Sequence, residues 1–544
     1  MSILYHASLE VLVCVGARPA GAFAPEPGRY HESRMPRYAA VDIGSNSVRL
    51  LIAEAPSGSE MRILRSERQV TRLGESVFGA GYISPEAMQF VTGQLERMGA
   101  ACRSLNVAGV RAVATSAVRD AGNQREFIDR VSQALGAPVE IISGQEEARL
   151  IQLGVEARWP HPAKRVLIID VGGGSAEVIR AENGHMAEAY SKPLGAVRLT
   201  QVFLQHDPPA PEELHRMMQY IDEKLLAPVD RLRGLDYDRA IATSATAAAI
   251  VCAVHRVSRG QRESADRLRA TTRQVRQLYE LVSRSDLAAR RKMAGFGPRR
   301  AEIITAGTAV FLRILEAFKL RSLYYSAAGV RDGIVADLAA RGVGRELSRL
   351  TRDQRRVVEQ MARRFGVSLH HARKVAALAH ELFDGLHRLH QLPPHYGKLL
   401  EAAAYLHDIG HYVSTIGHHK HSCYLVENAD MPGFTAPERR LIGALCRYHR
   451  KSMPQPRHAG FQSLDQESRR IVLLLTPLLR LADNLDRGHE QRIEHVDCRF
   501  RNGSAVVLLH GRPDTGLEQW AAERSGDVFR QVYDIPLGIE KARG

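Results

Sequence analysis

Nothing in the sequence pairs its cysteines. Cys14, Cys102, Cys252, Cys423, Cys446 and Cys498 are scattered with no C-x-x-C spacing, which excludes a disulfide framework and a thiolate zinc site and fits a reducing cytoplasm. Long apolar runs are missing too. None approaches the ~20 residues of a membrane helix, so no span is expected; a membrane surface would suit the positive charge as nucleic acid or polyphosphate would, but no membrane partner is expected. LEVLVCVGA (residues 9–17) is similar to the apolar part of a signal peptide but has no basic flank before it. With the loop-like residues after it, 1–35 reads as an N-terminal extension, disordered or a mis-called start, outside the fold. Negative charge is scarce relative to positive: 60 Asp+Glu against 75 Lys+Arg leave a formal charge of +15, and basic residues crowd positions 256–300. An anionic partner follows. No recognition helix, zinc finger or aromatic platform is evident, so a specific nucleic-acid partner is not expected. A long polyanion held by many weak phosphate contacts accounts for the charge, and its binding would weaken with salt.

What is present is an ordinary globular composition, 44% hydrophobic and 25% charged, in 544 residues. Single cores stop growing near ~250–300 residues, so several domains are expected. From Tyr38 short apolar strands alternate with helical periodicity: YAAVDIG, VRLLIAE, VAGVRAVATSA, then the helical AGNQREFIDRVSQAL, then PVEIIS. A second α/β module opens at RVLIIDVGGGSAEVIRAENG. Its start repeats the plan of the first, AAVDIGSNSVRLLIAE against LIIDVGGGSAEVIRAE: apolar strand, Asp, a Gly- and Ser-rich turn, apolar strand. After Gly342 strands give way to helical periodicity, and the tail from Asp497 reads as strands and one helix. The expected domains are 36–148, 149–342, an all-α 343–496 and a small α+β segment, 497–544.

A turn of Gly, Ser and Asn between two strands aims backbone N–H groups at one spot, and such nests bind phosphate oxygens. Gly44, Gly172, Gly173 and Gly174 would let the backbone approach a ligand, and Ser45, Asn46, Ser47 and Ser175 add side-chain donors. Asp42 and Asp170 would repel a bare phosphate. They make sense with Mg²⁺ between carboxylate and phosphate. One such segment alone could be a tight turn with a capping aspartate; two copies are harder to read that way. In IISGQEEARLI, Glu146 and Glu147 stand at a helix start, where first-turn acids are common for the dipole alone. Arg119, in ATSAVRDAGN, reads by itself as a helix-start arginine on the surface.

The paired hairpins resemble the phosphate loops of the superfamily of actin, sugar kinases and heat-shock chaperone ATPases. The combination VDIGSNSVRLLIAE, VATSAVRDAGN, IISGQEEARLI, IIDVGGGSAEVI, ATSATAAAI and, assigned to the last strand, SAAGVRDGIV resembles more closely the exopolyphosphatase/guanosine pentaphosphatase family. This resemblance implies an α/β fold of two actin-like (ribonuclease H-like) domains followed by an all-α HD-like domain and the α+β segment. It implies that Glu147 aligns a water for attack on the terminal phosphorus, that Glu177 lies near metal and water, and that Arg119 grips the departing phosphate, with Arg72 a weaker candidate of the same kind. The implied activity is Mg²⁺-dependent release of terminal phosphate from inorganic polyphosphate, with guanosine pentaphosphate the rival substrate, and a homodimer. A phosphate- or nucleotide-sensing module without turnover is the rival from another class.

In the helical half, His371, His407, Asp408 and Asp483 resemble the H…HD…D pattern of metal-dependent HD phosphohydrolases. The resemblance implies a second divalent metal there, Mn²⁺, Fe²⁺ or Zn²⁺, and leaves open whether that domain hydrolyses nucleotides itself. Histidine recurs at His411, His418, His419 and His421; residues 418–421, with His449 and Arg450, could equally line a basic channel for the phosphate chain or be solvated surface.

Overall fold

The computed structural model describes residues 35–55, 61–161, 164–341 and 348–542. Residues 9–17, all but the last residue of the 1–35 extension, and the expected boundary at 342/343 lie outside the described residues. Among the described residues no helix is long and apolar enough to cross a membrane.

The first sheet contains β1 (Arg37–Ile43), β2 (Ser47–Glu54), β3 (Arg62–Val70), β4 (Gly109–Ala114) and β5 (Val139–Ile141) in the order β3-β2-β1-β4-β5. β1, β2 and β3 form an antiparallel meander, and β4 and β5 add in parallel. β1 and β2 are buried nearly throughout, so they read as continuous apolar runs rather than as an alternation. The charged RILRSERQV of β3 lies at the edge, where charge discourages further pairing.

The second sheet contains β6 (Arg165–Val171), β7 (Ala176–Glu182), β8 (His185–Lys192), β9 (Arg239–Thr243), β10 (Arg269–Thr271) and β11 (Ser322–Tyr325), in the order β8-β7-β6-β9-β11-β10. Apart from the edge strand β10 this is the topology of the first sheet, with β9 parallel to β6 and β11 parallel to β9. The motif-level repeat is therefore a duplication of the whole strand plan.

Two helices lie between the sheets. The helix Gly144–Arg158 starts at Ser143, whose Oγ accepts from the Glu146 amide at 3.1 Å. Its Leu150 packs with Tyr38, Ala40 and Leu51 of the first sheet, while Ala148, Ile151 and Val155 pack with Val166, Ile168 and Ile179 of the second. The line expected at 148/149 falls inside this helix, because one helix serves both sheets. The helix Val330–Arg341 crosses it and buries Ile334 and Val335 against the first sheet. This corrects the assignment of SAAGVRDGIV to the last strand: β11 ends at Tyr325, and the Asp332 carboxylate accepts from the Gly329 amide at 3.0 Å where the helix begins. The two helices touch at glycines. A Cβ on Gly154 would lie 2.2 Å from the Gly329 carbonyl oxygen, and one on Gly333 only 1.7 Å from that of Leu150.

From Arg352 to Asn484 the regular elements are all helices. Their core is continuous with β12 (Ile493–Arg501), β13 (Ser504–Gly511) and β14 (Leu537–Lys541), so Val507, Leu509, Phe529 and Ile539 share one apolar cluster with Leu378, Leu400 and Leu445. The tail holds two short helices, Gly516–Glu523 and Gly526–Tyr533, rather than one. The chain breaks helix at Arg524 and Ser525 before resuming.

The helix crossing has no room for a methyl group, and overpacking of this kind costs about 1–3 kcal/mol. Gly333→Ala is expected to lower the thermal unfolding temperature. Gly79→Ala, in the helix Leu73–Ala80 with nothing within 4 Å of the added Cβ, is expected to leave it unchanged or raise it, since alanine is the better helix former. Differential scanning calorimetry of the two variants checks the contrast.

Candidate active site

The turns β1–β2 and β6–β7 have the same hydrogen-bonded geometry. The Gly44 amide donates to the Ser47 carbonyl at 3.1 Å, and the Gly172 amide to that of Ser175 at 3.0 Å. Each turn also accepts from the next helix: the Gly74 amide donates to the Ser45 carbonyl at 2.7 Å, and the Val197 amide to that of Gly173 at 2.9 Å. The glycines first let the two turns approach each other. A Cβ on Gly174 would lie 2.6 Å from Ser45 Oγ and 2.5 Å from Ser116 Oγ, and one on Gly173 would lie 3.0 Å from Ser45 Cβ.

Between the turns is a cavity of about 140 Å³, lined by Asp42, Gly44, Ser45, Asn46, Ser47, Glu147, Asp170, Gly172, Gly173, Gly174 and Ser175. Strand pairing sets Asp42 opposite Arg49 and Asp170 opposite Glu177. Ser45 Oγ accepts from the Ala117 amide at 3.2 Å, which ties the first turn to the short helix Ser116–Asp120. Glu177 accepts from Ser191 Oγ at 2.8 Å. Arg119 donates to the Ile142 carbonyl at 2.6 Å and stands 3.8 Å from Glu147. Arg72 points elsewhere, pairing with Glu302 at 2.9 Å.

Neighbouring glutamates receive opposite treatment. Glu146 is held by Arg111 at 2.9 Å and Arg149 at 2.7 Å, and accepts the Gly433 amide at 2.8 Å. Glu147 is equally buried, yet its Oε2 has no hydrogen-bond partner. Burial, then the adjacent Glu177, push the Glu147 carboxyl well above the usual range. Burial and Glu177 raise Asp170 to about 8; burial raises Glu177 to about 7 against hydrogen bonds from Ser191 and Ser175; burial also raises Asp42, with Arg49 opposing. Like charges gathered in one dry place hold protons unless a cation joins them.

Sequence reasoning passed over a second ring of residues. Arg49, Arg262, Arg300 and Arg331 line the same cavity. Burial, then Arg68, Arg262 and Arg49, lower Arg300 to about 9, and burial and Arg49 lower Arg331. Crowded guanidiniums that weaken one another's charge would be relieved by an anion bound among them. Arg49 and Arg331 stand within motifs quoted for other residues, and Arg262 and Arg300 within a run read only as net charge. Ser244 lines the cavity at φ 90°, a region costly for a non-glycine residue and concentrated at functional sites.

The donor set fits Mg²⁺, a hard cation held by one or two carboxylates plus substrate oxygens, and one oxygen of the nearby Glu147 accepts no hydrogen bond. In the helical half the four expected ligands also meet. His371 Nε2 and His407 Nε2 lie 3.6 and 3.3 Å from Asp483 Oδ1, and His407 Nε2 lies 3.7 Å from Asp408 Oδ2.

Duplicated strand order with a phosphate-sized cleft between paired hairpins places the protein in the actin-like class. Within that class the chain belongs to the Ppx/GppA phosphatase family, whose profile matches residues 51–341, with that of the family's domain III matching 354–518. Solved structures agree. An Aquifex aeolicus member of the Ppx/GppA family is 28% identical over 56% of this chain and 97% of its own, at a TM-score of 0.50. An exopolyphosphatase from Cytophaga hutchinsonii is 25% identical over 56% of this chain and 97% of its own, at a TM-score of 0.51.

A carboxyl whose pKa is higher folded than unfolded binds more protons in the folded state, so its contribution to stability is lost as pH rises from its ordinary value near 4 through the folded value. For Asp170 that window ends at about 8. Without divalent metal the unfolding temperature is expected to fall between pH 5 and pH 8.5 more steeply in the wild type than in Asp170→Asn. Thermal melts across that range, with chelator and with Mg²⁺, measure the difference; equal slopes would remove Asp170 from the cluster.

Proposed function

We propose that the cleft hydrolyses the terminal phosphoanhydride of inorganic polyphosphate, releasing orthophosphate one unit at a time. The observation that carries this reading is Glu147: buried, at the cavity wall, with one oxygen that accepts no hydrogen bond. Phosphoanhydride hydrolysis needs an oriented water, charge neutralisation and little covalent chemistry. Mg²⁺ held by Asp42 and Asp170, when bound, would supply neutralising charge and return the clustered carboxyls to their ionised forms.

The protein's own groups account for the remaining requirements. Ionised Glu147 accepts a hydrogen bond from the water, orients its lone pair toward the terminal phosphorus and takes up its proton as the new P–O bond forms. The bond to the bridging oxygen breaks, leaving orthophosphate and a chain shorter by one. The turn backbones and Ser47 hold the phosphate oxygens, and Arg119 is within reach of Glu147 and the departing group. Glu177, opposite Asp170 on the paired strand, joins the ionised carboxyls once the cation is bound. A second chamber lined by Arg68, Arg262, Arg299 and Arg300 shares Asn46, Ala245, Arg262 and Arg300 with the cleft, which supports a substrate carrying many phosphates. Guanosine pentaphosphate, with a similar terminal phosphate, is the rival substrate.

Free phosphate released with Mg²⁺ from long polyphosphate and from guanosine pentaphosphate tests the proposal. Wild type is expected to release it faster from polyphosphate. Glu147→Gln is expected to lose about 10²–10⁴ in kcat, the range of general-base catalysis, with KM little changed. No release from either substrate would refute the hydrolytic reading. Release from guanosine pentaphosphate alone would change the substrate, and a loss confined to Asp408→Ala would move the chemistry to the helical half.

A further inference from the structure

The helical half carries six side chains that polyphosphate hydrolysis in the cleft does not use, brought together by five helices. His371 comes from Leu369–Gly385, His407 and Asp408 from the end of Gly397–Leu406, His418 from the first turn of His418–Asn428, His449 from the end of Ala436–Tyr448 and Asp483 from Gln466–Asn484. They form two triads, His371–His407–Asp483 and Asp408–His418–His449, within each of which the ligand atoms lie within 4.8 Å of one another.

All four imidazoles are oriented alike. Nδ1 of His371 pairs with the buried Asp486 carboxylate at 2.8 Å. Nδ1 of His407, His449 and His418 pairs with the carbonyls of Ala404 at 2.8 Å, Cys446 at 2.8 Å and Thr415 at 3.2 Å. An acceptor at Nδ1 keeps the proton there and turns the Nε2 lone pair toward the cluster, the arrangement by which proteins prepare histidine for a metal. Nε2 of His371 and of His407, on side chains 2% and 1% exposed, has no hydrogen-bond partner.

The separations suit shared ions. Ligands about 2.0–2.2 Å from one ion in tetrahedral array are about 3.4 Å apart. Here His407 Nε2 is 3.3 Å from Asp483 Oδ1, His418 Nε2 is 3.3 Å from Asp408 Oδ1, and His418 Nε2 is 3.4 Å from His449 Nε2. Asp408 reaches both groups: Oδ2 faces His407 at 3.7 Å, while Oδ1 faces His418 at 3.3 Å and His449 at 3.7 Å. A carboxylate so placed bridges two ions. Arg450 makes a long 3.4 Å contact to His418 Nε2, which an ion would replace.

We propose that the helical half holds a pair of divalent transition-metal ions bridged by Asp408, one on His371, His407 and Asp483 and the other on Asp408, His418 and His449. His418 and His449 are thereby ligands rather than the wall of a phosphate channel. Imidazole donors favour Fe²⁺ or Zn²⁺ over Mg²⁺, and the two carboxylates also accommodate Mn²⁺. The histidines named as ligands are sealed, but Asp408 and Asp483 are 22% and 17% exposed. The open side therefore lies at the carboxylates, beside His411 and Arg450, and suits a phosphoryl oxygen spanning both ions.

The full-length protein, stripped with chelator, reloaded with Mn²⁺ alone and gel-filtered, tests this by elemental analysis and electron paramagnetic resonance. Wild type is expected to show the multiline signal of two exchange-coupled ions. His418→Gln and His449→Gln are expected each to retain one ion fewer and to lose the coupled signal, at metal-free melting temperatures equal to that of the wild type. Asp408→Asn, which breaks the bridge, is expected to lose the coupled signal as well. An uncoupled wild-type spectrum, or unchanged metal content in His418→Gln and His449→Gln, would overturn the proposal.

Discussion

Four buried charges, Arg111, Glu146, Arg149 and Asp337, hold the centre of the molecule. Arg111 and Arg149 each bridge Glu146 and Asp337 at 2.7–3.0 Å. Removing one member would strand a charge in a low-dielectric interior, so the set forms together or not at all. It joins β4 to the helix Gly144–Arg158 and to the crossing helix Val330–Arg341, whose Arg341 continues to Glu438 at 3.1 Å in the helical half. Glu146 also receives the Gly433 amide. One network thus sets the height and rotation of the helix that presents Glu147.

Next to this balanced set the cleft is deliberately unbalanced. Burial raises the pKa of Asp42, Asp170, Glu147 and Glu177, with neighbouring carboxylates adding to it at Asp170 and Glu147, while Arg49, Arg262 and Arg300 line the same cavity. Both groups are buried enough that water screens them poorly, so each stores repulsion that a bound partner of opposite sign relieves. A divalent cation with a phosphate chain would satisfy both at once. Adjacent glutamates therefore differ in surroundings: Glu146 is held by two arginines and a backbone amide, while one oxygen of Glu147 accepts no hydrogen bond.

Much of this was legible in the chain. The duplication of AAVDIGSNSVRLLIAE and LIIDVGGGSAEVIRAE announced two equivalent hairpins because buried central strands leave unbroken apolar runs and tight turns leave Gly and Ser. Strand order then proved the same in both halves apart from the added edge strand β10. Less legible were SAAGVRDGIV, where apolar spacing suits strand or helix until Asp332 caps the latter, and the limit at 148/149, because a helix with two apolar faces carries no mark of the boundary it spans. The tail's second helix was missed because its first helix and the break at Arg524 share one continuous periodicity.

The sequence by itself determined the local chemistry: which residues turn, which strands are covered on both faces, and that Asp42, Asp170 and Glu147 stand at element ends where side chains meet a cleft. These are short-range properties, set by sterics and periodicity within a few residues. Only the tertiary structure decided the long-range ones. It brought Arg49, Arg262, Arg300 and Arg331 to one cavity, gave Glu146 two close arginine partners and Glu147 one distant one, and gathered His371, His407, Asp408, His418, His449 and Asp483 from five helices. Charge interactions depend on distance and burial, and neither is encoded in the spacing of residues along the chain.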